Sequence, residues 1–104
     1  MLSSSKRLSS AEVKRVMARG QGRRGKFLSL KLYKVEEPFR CAVVVSKKIS
    51  GSAVARNALR RSIYQALGAI SLPHAGHAIL FVQSVPRQNS QETFTSEIKT
   101  LLNV

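Results

Sequence analysis

One segment of the sequence carries two opposed faces on a single helix, and it constrains the fold more than any other. Residues 53–68 follow Gly51 and Ser52 and contain no proline. At 100° per residue, their apolar side chains gather on one arc and most polar ones on the adjoining arc. The apolar arc consists of Ala55, Leu59, Ile63, Ala66 and Leu67. The adjoining arc consists of Arg56, Asn57, Arg60, Arg61 and Tyr64. Such a helix must bury one face against a partner layer and leave the arginine face exposed.

The net charge of +13 lies entirely in the first part of the chain. Residues 1–61 contain sixteen Lys and Arg against three Glu, whereas the charges of residues 62–104 cancel. A compact domain with this charge most commonly binds nucleic acid. Residues 38–91 hold Lys47, Lys48 and three arginines of the helix but no acidic residue. We therefore interpret these cations as a polyanion site rather than a solvated face. An anionic membrane is the weaker alternative, because no long apolar-faced helix accompanies the charge.

The first predicted element is a helix over residues 10–19. Ser9 and Glu12 have the spacing of a capping box, Val13, Val16 and Met17 follow at helical spacing, and Gly20 supplies a stop. Residues 1–8 are expected to be a flexible basic N-terminus. An organellar transit peptide is the alternative for this Arg- and Ser-rich stretch.

Alternating and continuous apolar runs predict the strands. Residues 20–25 are interpreted as a flexible basic loop, after which Phe27 to Lys34 alternates and predicts a half-buried strand. Residues 40–46 form a second predicted strand, which we expect to pair with the first as a hairpin through a turn at Glu36-Glu37-Pro38. Residues 78–82 predict a central strand and residues 91–103 a last helix. The 104 residues thus form one α/β domain, an α+β two-layer sandwich with the order α-β-β-(β)-α-β-α.

Few residues are suited to catalysis. The sequence has five Glu and no Asp, and His74 and His77 have the spacing H-x-x-H without other ligands nearby, so neither a metal site nor a protein catalytic site is predicted. Cys41 is the single cysteine and is expected to pack as a small apolar residue. No apolar run reaches the roughly 18 to 20 residues that span a bilayer, so we expect a soluble, cytoplasmic protein.

The segment from Cys41 to Leu67 resembles the signature region of the bacterial ribonuclease P protein. The family has a strand, a loop and an arginine-rich helix in this order. The similar residues here are Val45-Ser46-Lys47-Lys48-Ile49, a Gly-containing loop, and Arg56-Asn57-Ala58-Leu59-Arg60-Arg61. The remaining predicted elements occur in the family's order, so the resemblance extends more weakly over nearly the whole chain.

This resemblance implies a fold, two RNA-binding surfaces and a division of labour. The implied fold contains a left-handed βαβ crossover. The arginine-rich helix would contact a catalytic RNA, which would perform the cleavage with Mg²⁺, and a cleft between the first helix and the sheet would receive the 5′ leader of precursor tRNA. We expect the catalytic-RNA site at Lys47, Lys48, Arg56, Asn57, Arg60 and Arg61. We expect the leader cleft at Val13, Met17, Phe27, Lys31, Val44 and Ser46. Phe27 and Tyr33 either stack on bases or belong to the core.

Three departures from the family pattern bear on these expectations. Ala58 stands where the family usually has a second arginine, which predicts weaker RNA binding. Val13 and Met17 replace aromatic residues of the first helix, and the loop Ser50-Gly51-Ser52 is one residue longer than usual. A ribosomal or other structural-RNA protein is the rival among binding proteins, and a small stand-alone nuclease is the rival among enzymes.

Overall fold

The computed structural model describes residues 6–87 and 90–103. Its elements are α1 (Ser10–Arg19), β1 (Gln21–Arg24), β2 (Leu28–Pro38), β3 (Arg40–Val44), α2 (Ala53–Gly68), β4 (Ala75–Val82) and α3 (Ser90–Leu102). The predicted order of elements is confirmed. All three predicted helices are present, with ends within about two residues of the expected ones.

The four strands form one mixed sheet in the order β1-β2-β4-β3. Strand β2 is antiparallel to both β1 and β4, whereas β3 is parallel to β4. The predicted hairpin between β2 and β3 is therefore wrong. Only Phe39 separates these strands, so the chain has no room for the two-residue turn of a hairpin, and β4 lies between them. The residues predicted as a turn, Glu36 and Glu37, belong to β2.

Strand β1 replaces the flexible loop predicted for residues 20–25. Its residues pair with β2 from Gln21 opposite Leu32 to Arg24 opposite Ser29. All four of its residues are exposed and none is a large apolar residue, so no apolar alternation marks this strand in the sequence. The turn into β2 needs a glycine, because a Cβ on Gly25 would collide with the Glu97 carboxylate and lie 2.9 Å from the Leu28 carbonyl oxygen.

The main core lies between one face of the sheet and the helices α2 and α3. The sheet contributes alternate residues of three strands, which is the pattern that a pleated strand produces. These residues are Leu28, Leu30, Cys41, Val43, Ala78, Leu80 and Val82. The helices contribute Ile63, Ala66, Leu67, Phe94, Ile98, Leu101 and Leu102. The predicted apolar arc of α2 is thus buried at Ile63, Ala66 and Leu67, and Cys41 is a core residue as expected.

Helix α1 covers part of the opposite face of the sheet, so helices lie on both sides of it. Val16 of α1 and Ile79 of β4 are fully buried there. The capping box is confirmed: Ser9 Oγ accepts from the Glu12 N–H, and the Glu12 carboxylate accepts from the Ser9 N–H. Gly20 ends the helix with φ −70°, where a Cβ would lie 2.6 Å from the Val16 carbonyl oxygen. Close approach, rather than a left-handed backbone, requires this glycine.

The segment β3-α2-β4 is a βαβ unit with its two strands adjacent and parallel. The fold class predicted from the sequence is confirmed, while the left hand of this crossover stays a prediction. Within the described residues, no helix is long and apolar enough to cross a membrane.

Candidate nucleic-acid interface

Helix α2 presents the predicted arginine face at the surface. Asn57 and Arg61 are exposed, and Arg56 and Arg60 are partly exposed. Arg60 donates to the Asn57 side-chain oxygen one turn earlier, which orders both side chains along the helix. The structure therefore brings four of the expected RNA-binding residues onto one surface, which we call the arginine face.

The loop before α2 adds Lys47 and Lys48, which are both exposed. Ser52 caps the helix by accepting from the Ala55 N–H at 3.2 Å, and Arg56 donates to the Ser50 carbonyl oxygen at 2.9 Å. The first turn of α2 contains no acidic residue. The partial positive charge of the helix N-terminus therefore adds to the charges of the two lysines.

No carboxylate compensates these cations in the part of the chain that the structure describes. The ion pairs of Lys or Arg found there are Arg15 with Glu37 at 2.8 Å and Arg40 with Glu12 at 3.3 Å. Both lie beside α1 rather than on the arginine face. The missing acidic partners noted in the sequence are thus not supplied by another element in this part of the fold.

A second surface is the part of the sheet that α1 leaves uncovered. Two adjoining cavities of about 380 and 420 Å³ lie there, and Phe81 and Gln83 line both. Other lining residues are Gly22, Arg23, Arg24, Ser29, Lys31, Val44, Ser46 and Lys48. We call this surface the cleft.

Three of the six residues expected in the cleft line these two cavities. Lys31 lines one cavity, and Val44 and Ser46 line the other. Met17 is 46% exposed at the end of α1, and its carbonyl oxygen accepts from Lys31 Nζ. Val13 is half-buried on α1 and lines neither cavity.

Phe27, also expected in the cleft, lines neither of the two cavities. Phe27 precedes β2, packs against the main core, and its N–H donates to both carboxylate oxygens of Glu97 at 2.9 and 3.1 Å. This contact holds the start of β2 against α3. Tyr33 does lie on the α1 side, where the Arg15 guanidinium stands 5.4 Å from its ring centroid.

Sequence reasoning missed Phe81, Gln83 and Arg24 as cleft residues. Residues 78–82 were interpreted as one continuous apolar run, which conceals the direction of each side chain. The register pairs Phe81 with Ser29 and with Val44, so all three lie on the cleft face of neighbouring strands. Strict alternation counted from Leu80 in the core would have placed Phe81 in the cleft.

Helix α1 is joined to the sheet by a cluster of charged and polar side chains around His77. His77 is fully buried, and its Nδ1 atom lies 3.2 Å from Arg15 Nη2. Since arginine only donates, Nδ1 accepts and the ring proton of the neutral imidazole lies on Nε2. Nε2 has no hydrogen-bond partner and lies 3.6 Å from Glu12 and 4.0 Å from Glu37. The Ser9 N–H is the main cause that lowers the pKa of the Glu12 carboxyl, assisted by Arg40 and opposed by burial.

The oxygens of Glu12 and Glu37 and a ring nitrogen of His77 lie within 4.8 Å of one another, as the ligands of a cation would. Arg15 and Arg40 already neutralise the two carboxylates, and Nε2 carries the ring proton while Nδ1 accepts from Arg15. A cation would have to displace both guanidinium groups and this proton. The cluster is therefore a link between α1, β2 and β4, and the exposed His74 does not belong to it.

Comparison with known proteins gives the family. The ribonuclease P family model matches residues 2–104. No curated protein sequence matches the chain. Among solved structures, a mutant Staphylococcus aureus RNase P protein with defective mRNA degradation activity has a TM-score of 0.79 and 20% identity, over 95% of this chain and 86% of that chain.

Two further structures are similar. Another structure of the Staphylococcus aureus protein has a TM-score of 0.76 and 21% identity, over 99% of this chain and 91% of that chain. The RNase P protein from Thermotoga maritima has a TM-score of 0.72 and 19% identity, over 92% of this chain and 94% of that chain. These structures agree with the fold, and the family model covers almost every residue. The chain therefore belongs to the ribonuclease P protein family.

Proposed function

We propose that this chain, as the protein subunit of ribonuclease P, binds the catalytic RNA through the arginine face and the 5′ leader of precursor tRNA through the cleft. The catalytic RNA, with Mg²⁺, cleaves the phosphodiester bond. The protein neutralises phosphates and positions the substrate, which lowers the entropic cost of reaching the reactive geometry.

The observation that carries the first half of this proposal is the uncompensated charge of the arginine face. Arg56, Arg60 and Arg61 lie on one side of a helix whose other side is buried in the core. Such a fixed array repels itself in the free protein and is stabilised by a polyanion. Guanidinium groups also suit phosphate geometrically, because they donate two parallel hydrogen bonds.

The cleft supports the second half of the proposal. Its floor offers one aromatic ring, Phe81, between the small or apolar side chains of Ser29 and Val44. Single-stranded nucleic acid binds where bases stack on aromatic rings beside cations that contact the backbone. Arg24, Lys31 and Lys48 supply cations around the two cavities.

The surroundings of His77 and of the carboxylates support assigning the chemistry to the RNA. The one cluster of three such groups among residues 6–87 and 90–103 is Glu12, Glu37 and His77. Glu37 is paired with Arg15 and Glu12 with Arg40, both beside α1, and His77 is fully buried. They are poorly placed to attack or protonate a phosphodiester in the open cleft.

The decisive experiment is a reconstitution with precursor tRNA. Protein alone, catalytic RNA alone at low Mg²⁺, and the two together are compared in single-turnover cleavage. We expect a mature 5′ end from the combination and much slower cleavage from the RNA alone. Site-specific cleavage by rigorously purified protein would instead support a stand-alone nuclease.

A second measurement separates the proposal from a structural-RNA role. RNA crosslinked to the protein in cells of its source organism is recovered and sequenced. The proposal expects the catalytic RNA and tRNA precursors to be enriched. Enrichment of ribosomal RNA in their place would identify a ribosomal or other structural-RNA protein.

A further inference from the structure

The segment before α1 is docked on the sheet rather than free. Arg7 forms a parallel bridge with Cys41, and the Leu8 N–H donates to the Cys41 carbonyl oxygen at 3.0 Å. Strand β3 is at the edge of the sheet, so Arg7 and Leu8 are bonded alongside this edge at Cys41. Two residues of the N-terminus that was expected to be flexible, Arg7 and Leu8, are thus held against β3, and residues 1–5 lie outside the described part.

This docking places the Arg7 guanidinium on helix α2. Its central carbon lies 4.3 Å from the centroid of the Tyr64 ring, within the range of a cation–π contact. The ring is itself held, because the Tyr64 hydroxyl accepts from the Val43 N–H at 3.3 Å. Tyr64 therefore forms a fixed platform beneath Arg7.

The platform continues the arginine face by one turn. Arg56, Arg60 and Tyr64 are spaced four residues apart, so their side chains lie on the same side of α2. Arg7 occupies the surface above the third of these positions. Burial raises the pKa of the Tyr64 hydroxyl, and the charges of Arg7 and Arg60 both oppose that shift.

Neither Lys6 nor Arg7 has a carboxylate partner in the described part of the chain. Lys6 is exposed, and Arg7 is partly exposed. A row of three guanidinium groups at successive turns, with the exposed Lys6 next to Arg7 in the chain, costs repulsion that no acidic residue there relieves. The same arrangement matches a run of phosphates on one strand.

We propose that Lys6 and Arg7 are part of the catalytic-RNA site, and that Tyr64 is a positioning residue that holds Arg7 in line with Arg56 and Arg60. This inference rests on the proposed function, because it extends the same RNA surface. It also gives a reason for Tyr64 on the polar side of α2, because its ring holds the cation of Arg7 at the turn that follows Arg60.

The alternative is that Arg7 only fastens the N-terminal segment to β3. The two roles differ in the salt dependence of RNA binding. A phosphate contact releases counterions, so its loss reduces the slope of log K against log salt by roughly 0.7 to 0.9. Loss of a fastening contact lowers the stability of the fold and leaves that slope unchanged.

The test measures the affinity of the full chain for the catalytic RNA at several salt concentrations. We expect Arg7→Ala to weaken binding by roughly tenfold. We also expect it to reduce the slope of log K against log salt by the roughly 0.7 to 0.9 that corresponds to one lost phosphate contact. Lys99→Ala removes one charge from an exposed position of α3 and serves as the matched control, which should leave affinity and slope unchanged. If Arg7→Ala does not fold, Arg7→Gln keeps the aliphatic stem over the ring and removes the charge.

A double-mutant cycle tests the role of Tyr64. Tyr64→Leu should reproduce most of the loss of Arg7→Ala, and the double variant should add little, since both changes remove one contact. Tyr64→Phe keeps the ring and should therefore have the same salt slope as the wild type. Additive losses, or a full loss in Tyr64→Phe, would overturn the positioning role.

The outcomes separate this inference from the proposed function. If Arg60→Ala with Arg61→Ala reduces the salt slope and the Arg7 variants do not, the inference is wrong and the proposed function stands. If neither set changes the slope, the arginine face is not the RNA site, and both are wrong.

Discussion

Lys31 Nζ donates a hydrogen bond to the carbonyl oxygen of Met17 at 2.6 Å, which joins strand β2 to the last turn of α1. The last carbonyl groups of a helix lack partners within the helix, and a cation there also complements the helix dipole. Lys31 therefore has a structural role at the end of α1 in addition to its place in the cleft.

This double role predicts that Lys31→Met lowers both stability and leader binding. We expect a loss of about 1 kcal/mol in the free energy of unfolding, since one charge-assisted hydrogen bond is removed at a partly exposed site. Urea unfolding measures this loss. Lys34→Met, at an exposed position of the same strand, is the matched control, and an equal loss there would contradict the specific role of Lys31.

Phe27 and Phe81 should give opposite results. Phe27 packs against the core, so Phe27→Ala should cost about 2 kcal/mol of stability, somewhat less than a fully buried phenylalanine. Phe81→Leu, which keeps most of the volume, should instead reduce the affinity of the assembled enzyme for leader-bearing tRNA by about 1 to 3 kcal/mol. A leaderless tRNA is the control. Equal effects of Phe81→Leu on both tRNAs would show that no leader base stacks on this ring.

Cys41 should be unreactive in the folded protein. Burial raises the pKa of its thiol to about 12, only partly opposed by the charges of Arg7 and Lys6. The reactive thiolate is therefore scarce at pH 8, and we expect a disulfide reagent to modify Cys41 only after addition of denaturant. Because the folded pKa lies above the ordinary value of 9.0, the contribution of this group to stability is complete below pH 9 and is lost as the pH rises towards 12. Rapid labelling of folded protein at pH 8 would contradict the buried position.

Glu12 should make the attachment of α1 sensitive to acid. The pKa of Glu12 is lower in the folded state than its ordinary value of 4.5, so the ionised carboxylate stabilises the fold. This stabilisation is fully present above pH 4.5 and is lost as the pH falls through the folded pKa. Glu12→Gln should flatten the dependence of unfolding free energy on pH below 5. Glu36→Gln changes an exposed carboxyl of β2 and should leave this dependence as it is. An unaltered acid profile in Glu12→Gln would argue against the capping box and the Arg40 pair as the source of the shift.

Local patterns were sufficient to predict the helices and the arginine face. The capping box at Ser9 and Glu12 set the start of α1, and the arcs of α2 separated Ile63 and Leu67 from Arg60 and Arg61. These features depend on residues within a few turns of one another, which the sequence displays directly.

Pairing between distant segments could not be predicted in the same way. Strand β1 has no buried residue, so its only structural signal is the partner strand that it meets. The insertion of β4 between β2 and β3 pairs residues that are 37 positions apart for β3 and 37 to 54 positions apart for β2. Phe27 lies at the start of the alternating run, where its N–H donates to the carboxylate of Glu97, a residue 70 positions later in the chain.

The central claim is tested most directly with the double variant Arg60→Ala, Arg61→Ala. Its affinity for the catalytic RNA is measured from about 50 to 200 mM salt. Both side chains project from the polar side of α2, so the variant should fold like the wild type. We predict weaker binding at every salt concentration and a slope smaller by roughly one unit for each lost phosphate contact. Wild-type affinity with an unchanged slope would contradict the account, because the arginine face would then be only a solvated surface.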